Sequence, residues 1–223
     1  MPEVVVILPS PLLPAIVYRS LADALAALGV AVAIADSSLE HGQLASDLIP
    51  RWAAQCESAT ALLAHSNAGY LAPVVRDHAR HDQAIVFMDA ALPAGSGRTP
   101  LAPPQFLAFL RELADESGRL PPWTRWWPRS EMAAVIPADS YDEVDRRCPR
   151  LPLSYFEQTV AVPDGWVNRL NAYLAFGDTY REEMAQARVQ GWPHETLTGA
   201  HCHCMHDPHA VAEAVMDLFA RLS

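Results

Sequence analysis

The feature that most constrains this chain is a rhythm. Short apolar runs, often β-branched, alternate with longer segments of helical periodicity. Val4-Val5-Val6-Ile7-Leu8, closed by Pro9-Ser10-Pro11, reads as a buried strand and its turn. Val17, Leu21, Ala24, Leu25 and Leu28 then recur at helical spacing, and Gly29 stops them. Residues 30–34 read as a second buried strand, with a helix through Leu44, Leu48, Ile49 and Trp52. Residues 60–64 and 84–88 are further strands, separated by a helix over 68–79. Residues 172–176 and 195–197 are the last two, with a helix from about 180 to 189 between them. Asp207-Pro208 opens a final helix whose inner face carries Val211, Ala214, Val215, Leu218 and Phe219. Strands apolar on both faces and separated by helices predict an α/β fold: a mostly parallel sheet of about six strands with helices on both sides.

The rhythm breaks between Met88 and Ala172. Pro103-Pro104, Pro121-Pro122, Pro128, Pro149, Pro152 and Pro163 punctuate that stretch, with helical pattern near 105–116 and 141–147 and no evident strand. The expected division is a core of residues 1–92 and 171–223 and a cap or lid insertion at 93–170. In the cap, Trp123, Trp126 and Trp127 are expected to roof a pocket for an apolar or aromatic small molecule. The plainer alternative is an irregular excursion that only covers the sheet.

Composition narrows the function. With 16 basic and 26 acidic residues the formal net charge is −10, which supplies no field for a phosphate backbone, so no nucleic-acid partner is expected. Every basic residue is Arg. Without lysine there is no Schiff-base nitrogen for pyridoxal phosphate and no P-loop lysine for nucleotide transfer. No cofactor is expected. Cys56, Cys148, Cys202 and Cys204 lack C-x-x-C spacing. No charged leader or long apolar stretch is evident, so reduced thiols in a cytoplasmic protein without a membrane span are expected. Oligomeric state is left open.

The most informative local feature is Ala64-His65-Ser66-Asn67-Ala68, a serine between small residues where a strand runs into a helix. A sharp turn there exposes the serine hydroxyl at the carboxyl end of the sheet, and the Asn67 amide points where an oxyanion would form. The plain alternative is a serine capping an ordinary turn.

With these features the chain resembles the α/β-hydrolase superfamily, over nearly its whole length. The strings AHSNAGYLAPVV, LPPWTRWW and GAHCHCMHDPHAVAEA make it similar to small bacterial hydrolase-like proteins of unassigned function. The resemblance implies a sheet lacking the superfamily's two opening strands, and the order Ser66, Asp178, His201 for nucleophile, acid and base. For the base, His201 in Gly199-Ala200-His201 stands before His203. For the acid, Asp178 after the fifth strand stands first, Asp89 after the fourth second, and Glu182 third; Asp178 could instead start the following helix. The string of His201, Cys202, His203, Cys204, His206 and His209 lacks structural-zinc spacing, so no metal is expected. The second oxyanion amide would come from the loop Leu8-Pro9-Ser10-Pro11-Leu12-Leu13-Pro14. Proline has no amide hydrogen, so Pro11 at that position removes the donor, while a shift by one residue lets Leu12 serve. The function implied is a serine hydrolase of a small ester, thioester or lactone. The alternatives are non-hydrolytic chemistry (epimerase, cyclase or lyase) on the same fold and a ligand-binding protein without turnover.

Overall fold

The computed structural model describes residues 1–39, 43–79 and 81–222. Its strands are β1 (Val4–Leu8), β2 (Ala31–Ile34), β3 (Ala61–Ser66), β4 (Ala84–Ala90), β5 (Gly97–Pro100), β6 (Thr159–Val162), β7 (Asn171–Phe176) and β8 (His194–Leu197). Six of them form one parallel sheet in the order β2-β1-β3-β4-β7-β8. The helices are α1 (Arg19–Ala27), α2 (Ala45–Gln55), α3 (Ala72–Ala79), α4 (Pro104–Leu113), α5 (Arg129–Met132), α6 (Tyr141–Arg147), α7 (Leu153–Phe156), α8 (Arg181–Val189), α9 (His203–His206) and α10 (Pro208–Ala220). Two helix pairs flank the sheet, α1 packed on α10 and α2 on α3. The α/β class, the six parallel strands and the flanking helices agree with the sequence reading.

The core sits on the four middle strands. Every residue of β3 and β7 is buried, as are all but the first of β1 and β4. Such strands need apolar residues on both faces, which is why they read as continuous runs. The second strand differs from expectation: β2 is an edge strand with exposed and half-buried residues in alternation. Its β-branched composition favours a strand but says nothing about its place in the sheet.

A second correction concerns the segment between β4 and β7, where no strand was expected. β5 and β6 pair antiparallel there, Gly97 opposite Val162 and Pro100 opposite Thr159. The Arg98 guanidinium donates to Thr159 Oγ1 at 2.8 Å across the pair. Four-residue strands far apart in sequence, one of them Gly-Arg-Thr-Pro, leave almost no periodic signal.

The last helix starts as expected, with Asp207 Oδ1 accepting the Ala210 amide at 3.0 Å. An unanticipated clamp lies at the opposite end of the strands from the site. Arg76 of α3 is fully buried and donates to Trp166 O (3.2 Å), Asn171 Oδ1 (3.1 Å), Gln83 O (3.3 Å) and Leu170 O (3.5 Å). It ties α3 to the entry of β4 and the entry of β7, and burial brings its guanidinium pKa down to about 10. The four cysteines are buried and free. Among the described residues no helix is long and apolar enough to cross a membrane.

Candidate active site

The serine turn forms at the end of β3. Ser66 takes φ 58° and ψ −130°, and the 3-10 turn Asn67–Tyr70 follows at once, leading into α3. Such a backbone conformation is strained for a residue with a side chain, by about 1–3 kcal/mol. The turn fits because its neighbours are small. Ala64 and Ala68 are fully buried, and at Gly69 a Cβ would lie 2.0 Å from the carbonyl oxygen of Ala91. Ala91 in turn donates its amide to Ser66 O at 3.1 Å, and the β3–β4 ladder shifts register between His65 and Ser66.

The residue at the end of β4 shares the serine's unusual backbone. Asp89 has φ 42°, and Ser66 and Asp89 are the two non-glycine residues with positive φ among the described residues. Asp89 is fully buried. Its Oδ2 accepts from His201 Nδ1 at 2.6 Å, and its Oδ1 accepts the Phe176 amide at 3.0 Å. Nδ1 thus carries the proton, and Nε2 keeps its lone pair.

The aspartate expected at the histidine is not the one found there. Asp178 is exposed and lines the cavity, but the carboxylate bonded to His201 is that of Asp89. The cause is local. β7 ends at Phe176, whose amide is already held by Asp89, and Gly177 at φ +68° turns the chain outward before Asp178. Glu182 is likewise exposed.

A cavity of about 710 Å³ opens above Ser66. Ser66, Asn67, Leu12 and His201 all line it. The Asn67 side chain is held from outside the turn, donating to Leu101 O at 3.0 Å and accepting from Tyr155 Oη at 2.8 Å. Pro11 occupies the second position of a turn closed by the Leu13 amide on Ser10 O at 3.0 Å. Leu12 therefore supplies the first amide after Pro11, and it donates to Ser10 Oγ at 3.4 Å. Cys148 Sγ, from the segment between β4 and β7, donates to Leu12 O at 3.1 Å.

The three tryptophans divide. Trp123 and Trp127 line the cavity, and the Trp123 ring lies 5.8 Å from that of His201. Trp126 does not: it is buried against Phe106 and Phe156, its indole N–H on Pro121 O at 2.9 Å. Burying its large ring in that aromatic cluster satisfies both its surface and its one donor.

Sequence reasoning missed two residues here. Tyr180 Oη lies 3.5 Å from Ser66 Oγ, and its ring packs 5.6 Å from His201. Burial raises the pKa of this phenol, so it stays protonated. Nothing in Asp178-Thr179-Tyr180 marks it. His65 is fully buried, its ring stacked 4.6 Å from His201. Here a signal existed: a histidine inside an otherwise apolar central strand must find partners. The other histidines of the 201–209 string lie apart from this pair, His203 against Phe176, His206 Nε2 on Val135 O at 3.2 Å, and His209 exposed. Cys202 and Cys204 are buried, with thiol pKa values pushed up by burial.

No protein-family model matches the sequence, and no curated protein does. Solved structures do match in shape. An extracellular α/β-hydrolase from a Paenibacillus species, described as sharing structural and functional homology with tobacco salicylic acid binding protein 2, superposes with a TM-score of 0.79. It is 15% identical, over 97% of this chain and 99% of the other. The pyrethroid hydrolase PytH gives 0.67 at 18% identity, over 96% of each chain. Tomato methylketone synthase I, complexed with 2-tridecanone, gives 0.69 at 9% identity over 100% of both. The chain has the α/β-hydrolase fold, shared with hydrolases and with a methylketone synthase.

Proposed function

We propose that the chain is a serine hydrolase of a small ester, thioester or lactone, with Ser66 as nucleophile, His201 as base and Asp89 as acid. The observation that carries this reading is a convergence. The two positive-φ non-glycine residues among those described end adjacent strands, and one of them holds the histidine that shares a cavity with the other. Strain of this kind persists where surrounding structure over-determines it, and it concentrates at reactive sites.

The chemistry follows from the atoms. His201 Nε2 takes the Ser66 proton as Ser66 Oγ bonds to the substrate carbonyl carbon, and Asp89 stabilises the imidazolium. The carbonyl electron pair moves to oxygen, where the Asn67 amide and the Leu12 amide, turned from its long 3.4 Å bond to Ser10 Oγ, receive it; each such donor is worth about 10²–10³ in rate. His201 returns the proton to the leaving group, and water repeats the sequence on the acyl-serine. Tyr180 keeps a protonated hydroxyl beside Ser66 Oγ. The segment 93–170 serves as the cap: Leu101, Phe106, Trp123 and Trp127, with Leu12, give the cavity an apolar wall suited to an apolar or aromatic substrate. These steps call for no cofactor.

A second reading, non-hydrolytic chemistry on the same histidine, draws support from one contact: the polar atom beside Ser66 Oγ is the Tyr180 hydroxyl, at 3.5 Å. It is also consistent with a fold that carries a methylketone synthase. A fluorophosphonate probe separates the two. Expected is covalent labelling of Ser66, abolished in Ser66→Ala and His201→Ala, with hydrolysis of p-nitrophenyl acetate lost in parallel. A folded wild-type protein that is neither labelled nor hydrolytic would sink the hydrolase reading.

A further inference from the structure

One hydrogen-bonded chain joins the three loops that build this site. The Ser10 amide, in the loop after β1, can only donate, and Tyr18 Oη accepts it at 2.8 Å. The His201 carbonyl can only accept, so His65 Nε2 carries a hydrogen and donates to it at 3.0 Å. Nδ1 of His65 is then a lone pair, and the Tyr18 hydroxyl donates to it at 2.9 Å. The backbone groups at the two ends thus fix the direction of every bond and select a single tautomer of His65. Ser10, Tyr18 and His65 are all fully buried, so no water substitutes for a lost partner.

We propose that His65 is a positioning residue for the reaction, a neutral imidazole that locks the oxyanion loop, the serine turn and the loop of the base into one register. The inference rests on the serine-hydrolase reading. His65 is covalently joined to Ser66, grips the main chain of His201 and stacks on its ring with 24° between the planes. The distance from nucleophile to base is set through this ring. Through Tyr18 and Ser10, whose Oγ accepts the Leu12 amide, the same chain reaches the second oxyanion donor. A structural histidine in a core needs two partners. These two partners belong to the loops of two other catalytic elements.

The test is the rate at which the fluorophosphonate probe phosphonylates Ser66, with fluoride leaving, resolved into probe affinity and maximal rate. His65→Leu should lower the maximal rate by up to about 100-fold, the effect of a misplacement near 1 Å, with probe affinity little changed. His65→Gln keeps a donor for the His201 carbonyl and should recover much of that loss. Tyr18→Phe leaves the His201 bond and the tautomer in place but cuts the link from His65 to the oxyanion loop, and should lie between the two. The double variant Tyr18→Phe/His65→Leu should react with the probe no more slowly than His65→Leu, because both act through one chain. Thermal unfolding establishes that each variant is folded at the assay temperature. Should His65→Leu not fold, Tyr18→Phe and His65→Gln carry the test. Folded variants that are labelled at the wild-type rate, or single effects that multiply independently in the double variant, overturn the proposal. A wild-type protein that the probe does not label overturns the hydrolase reading instead, and this inference with it.

Discussion

Asp89 is bonded at both carboxylate oxygens, to an amide of the next strand and to the imidazole, and its own backbone is strained to make this possible. Asp89→Asn replaces an acceptor by an amide that favours the wrong histidine tautomer, a change that costs about 10⁴ in kcat where the pair is catalytic. Asp178→Asn, at the exposed mouth, should leave kcat nearly unchanged. Ester hydrolysis by the two purified variants checks the order, and a larger loss in Asp178→Asn would return the acid to β7. The order of these two aspartates is where the sequence reading and the observed hydrogen bonding part. Asp178 follows Phe176-Gly177, a recognisable strand end, and sits where the superfamily acid commonly stands. Asp89 has a subtler mark: it ends a wholly apolar strand and is followed by Ala90-Ala91-Leu92-Pro93, so it has no polar company in the chain and must find it in the fold. Ser66 and His201 stood out in the sequence because each follows a strand, and the fold brings both to one cavity, whereas Tyr180 depends on a long-range approach that no local pattern encodes.

At the scale of elements, the serine turn and the end of β4 are one structure. Gly69 lets the 3-10 turn rest on the Ala91 carbonyl, and Ala91 closes the contact with its amide on Ser66 O. Gly69→Ala would press a methyl group into that carbonyl and push β4 away from the turn. The expected cost is about 3 kcal/mol, at the upper end of overpacking effects, measured by chemical denaturation. Activity should fall further than stability alone explains, since Asp89 lies two residues before the displaced carbonyl. An alanine variant of unchanged stability would show that the turn relaxes elsewhere. The central strands that frame this contact were readable because burial on both faces writes continuous apolar runs. The edge position of β2 and the pair β5–β6 were not, because sheet order and short antiparallel pairing are settled by tertiary contacts. The split roles of Trp126 and Trp127 had the same cause: adjacent residues in a proline-rich segment carry no period from which to assign faces.

For the molecule as a whole, the buried chain through His65 makes folding depend on pH. Burial, and after it the neighbouring His201, holds the pKa of His65 well below the ordinary value of 6.5. A proton on Nδ1 would also leave the Tyr18 hydroxyl without an acceptor. The folded state therefore binds this proton less readily than the unfolded chain. Stability from this group is full above pH 6.5 and is lost as pH falls below that value toward the depressed folded pKa, at no more than about 1.4 kcal/mol per pH unit for one proton. His203, lowered by burial, adds in the same direction. Glu183 opposes: burial raises its carboxyl above 4.5, so its contribution is present at low pH and is lost as pH rises through the folded pKa. Below pH 6.5 the histidines should dominate at first. Denaturant unfolding at a series of pH values between about 5 and 8 should show a falling free energy on the acid side, with a shallower fall in His65→Gln because the group that titrates is gone. Equal slopes in the two proteins would mean that His65 keeps an ordinary protonation equilibrium in the fold, and that the hydrogen-bonded chain does not hold it neutral.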